Sequence, residues 1–236
     1  MDTETTRIFE ELCFATRILA GEGILDGFGH VSARHPRHGD RYYLVRDNAA
    51  EPGDAGNFME LDLESNPIAK DCANPSIERF LHGEIYKARS DVNAIVHTHA
   101  PALIPFGVSK TQLQPLYHMC GFLAYGVPVF DIRQDNGMTD MLITSQELGF
   151  SLARCLDKSA LVLMRGHGAT VVGASVKEAV FRAIYATLNA QAQPVAMQLG
   201  NPTYLCAQEA FLADDLHRSV MHRPWKFLVR KWCDNE

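Results

Sequence analysis

His97-Thr98-His99 is the first place in the 236-residue sequence where residue type and spacing suggest chemistry. On a β-strand, residues i and i+2 project to one face, so both imidazoles can reach a common point. Two imidazole nitrogens at roughly 2.0–2.1 Å from that point begin a site for zinc or a similar transition metal. The run Ala94-Ile95-Val96 supplies a rigid apolar platform before them, and Pro101 follows closely. An isolated pair of this kind is more readily two polar residues where a strand reaches the surface. The second signal shifts that balance. His167 lies between Gly166 and Gly168, just past the apolar run Leu161–Met164, and flanking glycines let the backbone turn sharply or approach a ligand closely. His97, His99 and His167 together predict one divalent metal ion per chain with an open coordination position, the arrangement of a catalytic rather than a structural metal. Zn2+ or Mn2+ is expected first, and Co2+ or Fe2+ also accept imidazole. A third signal is Glu78, one turn into the helix expected before the His97 strand. By position alone it is an acid at a helix N-terminus.

The elements that must carry these residues can be read from periodicity. Thr5 to Glu22 is amphipathic, with Ile8, Phe9, Leu12, Cys13, Thr16 and Leu19 on one helical face. Gly21 and Gly23 stop it. Gly27–Arg34 turns strand-like after its glycines, Arg41–Val45 reads as a strand, Asp47–Asn57 as a polar loop, and Phe58–Leu63 as a further strand. Ser76 is the expected N-cap of a helix to about Arg89, and Ala94–Thr98 a buried strand. Strand-like pieces follow at Val127–Ile132, Ala160–Met164 and Ala169–Val172. Ser175-Val-Lys-Glu178 reads as a capping box opening a long helix to about Gln193. From Cys206 the pattern weakens, and Trp225–Trp232 is expected to dock as a tail. Strands and helices without regular βαβ alternation predict one α/β sandwich domain over residues 1–236, with a mixed sheet and a C-terminal tail from about 206.

Bulk properties narrow the function class. A net charge of −6 argues against nucleic acid as a partner, because phosphate contacts need clustered Lys and Arg. No apolar run is long enough to cross a bilayer, so no membrane association is expected. The acidic opening MDTETTRIFEEL lacks the features of a signal peptide, and a cytoplasmic location is expected. The six cysteines (13, 72, 120, 155, 206 and 233) show no C-x-x-C pair and read as reduced, scattered small apolar residues. His35, His38, His82, His217 and His222 read as solvated or packing histidines.

Three motifs in one order carry a resemblance: GHVSAR (29–34), PSIERFLHGEIYKARSDVNAIVHTHA (75–100) and LVLMRGHG (161–168). With them the chain resembles the class II aldolase/adducin head family from about Ile8 to Ala210. The resemblance implies a three-layer α/β/α sandwich around a central mixed, largely antiparallel sheet. It also implies a homotetramer with active sites between subunits. In the sugar-phosphate aldolases of that family three histidines bind zinc and a glutamate acts as acid/base. Those roles fall on His97, His99, His167 and Glu78.

The departures from the aldolase pattern point to another substrate. His30 stands where those aldolases carry Asn in G-N-[IV]-S, beside Ser32 of the same motif. The T-P-S-G phosphate loop is replaced by Leu44-Val45-Arg46-Asp47-Asn48, which lacks the small residues that let backbone N–H groups cradle a phosphate. Ser76-Ile77-Glu78 replaces Ser-Ser-Glu, and His118, beside Tyr117, aligns with a proton-donating tyrosine. The pattern is similar to a branch of metal-dependent decarboxylases of hydroxylated aromatic or heteroaromatic acids. That resemblance implies a lyase releasing carbon dioxide from a small carboxylic acid, with Glu78 and His118 as candidates for proton transfer. His30, Ser32, Arg46, Ser76 and Arg165 are the candidate substrate-binding residues, the arginines as bidentate readers of a second carboxylate. The alternatives are aldol cleavage of an unphosphorylated substrate and, in a different class, a non-catalytic adducin-like scaffold.

Overall fold

The computed structural model describes residues 3–46, 58–69 and 75–233. Its strands are β1 (His30–Arg34), β2 (Arg41–Val45), β3 (Phe58–Asp62), β4 (Ala94–Thr98), β5 (Val129–Phe130), β6 (Leu161–Met164) and β7 (Gly168–Gly173). They form one sheet in the order β3-β2-β1-β4-β7-β6-β5. Only β5–β6 is parallel; the other neighbours are antiparallel. The helices are α1 (Thr3–Gly21), α2 (Arg79–Ala88), α3 (Ile104–Val108), α4 (Arg133–Asn136), α5 (Gln146–Leu156), α6 (Val176–Leu199), α7 (Ala207–Val220) and α8 (His222–Trp232). A 3₁₀ stretch, His118–Tyr125, is broken at Cys120.

Strand alternation divides the core into two halves. On one face Val31, Ala33, Ala94, Val96, Leu161, Leu163 and Val171 pack against α1, α6 and α8. On the other, Tyr42, Leu44, Ile95, Val162 and Val172 pack against α2 and α5. This is the expected three-layer α/β/α sandwich with a mixed, largely antiparallel sheet. His97 shares parity with Ile95 and so faces the α2/α5 layer. Each fully buried aliphatic side chain contributes roughly 1.5–3 kcal/mol, so Ile95 and Val96, both buried, anchor β4 on its two faces. No helix among the described residues is long and apolar enough to cross a membrane.

Several boundaries differ from the sequence reading. The helix expected to start after Ser76 begins at Arg79, and Glu78, not Ser76, is at its N-cap. An antiparallel bridge between Arg46 and Pro75 keeps the chain extended up to that point. Val127–Ile132 shortens to a two-residue edge strand, because Pro128 has no N–H to pair and the Asp131 side chain turns the chain by accepting from Arg133 N–H. The long helix opens as expected, with Ser175 accepting from Glu178 N–H, but runs past the exposed Pro194 to Leu199. From Cys206 onward the chain is helical, with α7 against the 3₁₀ stretch and α8 against α1. The polar loop expected over Asp47–Asn57, and Cys72, lie outside the described residues.

Candidate metal centre

Strands β4 and β7 bring the histidines together. Their antiparallel register sets His97 opposite Thr170 and Thr98 opposite Ala169, so the C-terminal end of β4 meets the start of β7. The turn before β7 places Gly166 at φ +67°, a left-handed conformation that glycine adopts without strain. Gly168 is needed for a different reason. A Cβ there would run into the carbonyl oxygen of Thr98 and come within 3.1 Å of His99 Cδ2. Its absence lets His167 approach His97 and His99. Glu78 arrives from the α2/α5 layer that His97 faces, at the mouth of α2.

One ligating atom each from Glu78, His97, His99 and His167 lies within 4.8 Å of all the others. Nε2 of His97 is 3.2 Å from Nε2 of His99. Oε2 of Glu78 is 3.5 Å from Nε2 of His97 and 3.5 Å from Nε2 of His167. Four ligands at zinc-like bond lengths define a tetrahedron with edges of roughly 3.3–3.4 Å, so these spacings fit a small divalent cation.

The rings' other nitrogens settle which atom of each is available. His167 Nδ1 donates to the Met141 carbonyl at 3.0 Å, and His99 Nδ1 donates to Asp26 at 3.1 Å. His97 Nδ1 faces Thr170 Oγ1 at 3.4 Å, whose own hydrogen points to Met164 sulfur. Each Nδ1 can thus carry a ring hydrogen, which leaves each Nε2 free to offer a lone pair to a metal, the second tier of contacts that metal-binding histidines need. Three lone pairs and a carboxylate facing one another at these distances repel unless a cation lies between them. That donor chemistry is what a divalent ion fits.

Burial pushes the Glu78 carboxyl up, but hydrogen bonds from His167 and His97, together with their charge, outweigh it and hold it well below the usual carboxylate range. Its other oxygen, Oε1, accepts the Ile143 N–H at 2.9 Å. Burial pushes His97 down, whereas for His167 the bond and charge of Glu78 overcome burial and push it up.

The other predicted residues divide. His30, opposite His97 across β1–β4, is buried beside the cluster, with ring centroids 5.0 Å apart. Burial pushes its ring down to about 3. Ser32 is fully buried, its hydroxyl engaged by His82 and Tyr86. The Arg46–Pro75 bridge sets Arg46 beside buried Ser76, two residues from Glu78. Arg165 forms an ion pair with Asp131 at 3.0 Å, so its charge is already met within the chain. His118 is exposed on the 3₁₀ stretch and stacks on His217 at 5.0 Å; a single chain does not bring it to the histidine cluster.

Sequence reasoning missed Asp26 and His82. Asp26 holds His99 and accepts from the N–H groups of Phe28 and Gly29. His82, read as solvated or packing, is fully buried and bonded to both His30 and Ser32. A signal existed for it. His30 and Ser32 share a strand face, and His82 and Tyr86 share a helix face, two polar pairs at matched periods among apolar neighbours.

Comparison with known proteins adds to this geometry. A sequence profile described as the Class II Aldolase and Adducin N-terminal domain matches residues 10–193. Decarboxylase tropJ of Talaromyces stipitatus is 34% identical, covering 91% of this chain and 90% of its own. The 3,4-dihydroxyphthalate decarboxylase of Arthrobacter keyseri is 30% identical, covering 74% of this chain and 73% of its own. Among solved structures, an aldolase II superfamily protein from Pseudomonas syringae superposes with a TM-score of 0.78 at 18% identity, covering 98% of this chain and 94% of that one. At that identity the likeness concerns the fold alone.

Proposed function

The chain belongs to the class II aldolase and adducin N-terminal domain family, and from that premise we propose that it is a metal-dependent carboxy-lyase. Its substrate in this reading is a hydroxylated aromatic or heteroaromatic carboxylic acid. The observation that carries the reading is the convergence of His97, His99, His167 and Glu78 on one point, in a chain whose relatives at 30–34% identity are named decarboxylases. A scaffold of the adducin kind has no use for a complete ligand set whose rings are each held by a second partner.

The three imidazoles would hold one divalent ion per chain with Glu78 beside it, Zn2+ or Mn2+ first by their nitrogen donors. Such an ion supplies Lewis acidity toward the substrate oxygen beside the carbon that loses its carboxylate. The chain's own groups do the rest. The bond from ring carbon to carboxylate breaks, carbon dioxide leaves, and the ring carbon takes up one proton. Glu78, whose carboxylate rests ionised, can deliver that proton from within the chain only after taking one up from water. His118, exposed at the start of the 3₁₀ stretch, can do so only across a subunit boundary. Arg46 and Ser76, held together by the Arg46–Pro75 bridge, are proposed to bind the substrate's second acidic group.

The same reading takes the chain as one domain that assembles into a homotetramer with sites between subunits. Exposed Leu188, Val195 and Leu199 on α6, with Phe211, Leu212 and Leu216 on α7, form apolar surface that a neighbouring subunit would cover. The test is incubation of the metal-loaded protein with a panel of hydroxylated aromatic acids and, separately, with sugar phosphates of the fuculose and ribulose type. Carbon dioxide from an aromatic acid is expected. Efficient aldol cleavage with no carbon dioxide from any acid would overturn the proposed reaction and leave the metal site standing.

A further inference from the structure

A buried row of four polar side chains runs away from the metal centre. His30 Nδ1 lies 2.8 Å from His82 Nε2, His82 Nδ1 lies 2.7 Å from Ser32 Oγ, and Ser32 Oγ lies 2.8 Å from Tyr86 Oη. The row joins two elements. His30 and Ser32 are i and i+2 on β1, and His82 and Tyr86 are i and i+4 on α2. Ser32 and His82 are sealed from solvent completely, and Tyr86 is 1% exposed.

The direction of these bonds follows from counting hydrogens. With both imidazoles neutral, as befits buried rings whose partners in the row are all uncharged, each of the four groups contributes one hydrogen. There are three gaps to fill, so one hydrogen must project from an end of the row. At the Tyr86 end it would meet the core, where no acceptor other than Ser32 is found among the described residues. A buried hydroxyl without an acceptor is disfavoured on the order of ten-fold or more. At the other end, no partner for His30 Nε2 is found among the described residues, and the residue is 5% exposed. The order that satisfies every buried group is Tyr86 donating to Ser32, Ser32 to His82 Nδ1, and His82 Nε2–H to His30 Nδ1.

The geometry points to His30 as a fixed hydrogen-bond donor, its Nε2–H presented beside the metal ligands to an anionic oxygen of the substrate, with Tyr86, Ser32 and His82 as positioning residues that hold it in that form. The class of ligand is an oxyanion, a carboxylate or a phenolate, and an acceptor without a hydrogen suits it best. A reversed row would make His30 an acceptor and repel the same oxygen. The choice of oxygen rests on the proposed decarboxylase reading; the direction of the row does not. A preorganised donor aimed at an oxygen that gains charge is typically worth about 10²- to 10³-fold in turnover.

The test is magic-angle-spinning nitrogen NMR of the zinc-loaded protein labelled with ¹⁵N-histidine, without substrate, with resonances assigned from His30→Asn and His82→Asn variants. Both His30 and His82 should carry their hydrogen on Nε2. In Ser32→Ala, His82 loses its Nδ1 partner, and His30 should become a mixture of the two tautomers while His97, His99 and His167 are unchanged. Kinetically, His30→Phe should lower turnover about 10²-fold or more at unchanged metal content, and His30→Asn, which keeps an N–H donor, should recover part of it. His30 protonated on Nδ1 in the parent protein would overturn the inference even if carbon dioxide is released. The expected tautomers with no decarboxylation of any acid would leave the donor standing and remove the proposed reaction.

Discussion

Ile143 donates its backbone N–H to Oε1 of Glu78 at 2.9 Å, and this one bond turns Oε2 toward the histidines. Ile143 lies just before the N-cap of α5, Glu78 at the mouth of α2, and these two helices pack on one another in the same layer. The carboxylate that faces the three imidazoles is thus held by the scaffold and does not depend on its own helix for support.

Glu78→Gln keeps the size of the side chain and can still accept from Ile143. It cannot ionise, and it offers an amide where the histidines present lone pairs. Turnover at saturating metal should fall about 10²-fold or more if Glu78 transfers a proton. Steady-state rates against metal concentration make the check. Parent-like turnover would reduce Glu78 to a helix-terminal acid.

Asp26→Asn tests the second tier. Asparagine keeps an oxygen for the N–H groups of Phe28 and Gly29 but removes the charge that holds His99. Loss of such a partner typically weakens metal binding about 10- to 100-fold. Competition against a chromophoric chelator should read that loss, with the folded structure unchanged by circular dichroism. Unaltered affinity would show that Asp26 does not orient His99 for a metal.

Gly168→Ala pushes a methyl group into the Thr98 carbonyl and the His99 ring. The strands must separate where the ligands meet, and overpacking of this kind typically costs about 1–3 kcal/mol. Thermal unfolding should shift down, and metal content should fall below one ion per chain. A variant as stable and as fully loaded as the parent would show that β4 and β7 need no close approach there.

What the sequence made legible was local. Arg41–Val45 and Ala94–Thr98 emerge as strands over the expected residues, because β-branched and aromatic runs between turn residues encode their own conformation. His97 and His99 share a face by strand period alone. Glu78 was harder to place, because a bridge from Arg46 to Pro75, far apart in sequence, delays the start of α2. His82 was misjudged because both its partners, His30 and Ser32, lie 50 or more residues away. Asp26 sits in a loop that no periodicity marks, and its importance appears only when the end of β4 folds over it. Local pattern carried the elements and the three clustered histidines; the contacts behind them depend on packing between elements.

The most direct measurement of the central claim is the fate of a hydroxylated aromatic acid in deuterated water, with metal-loaded and chelator-stripped protein side by side. The loaded protein should release one carbon dioxide per product and place one deuteron on the ring carbon that lost the carboxylate. Stripped protein should do neither until the ion is restored, and His97→Ala, lacking a ligand, should stay silent at the same metal concentration. Decarboxylation that proceeds equally in the stripped protein and in His97→Ala would contradict a metal centre built on His97, His99 and His167.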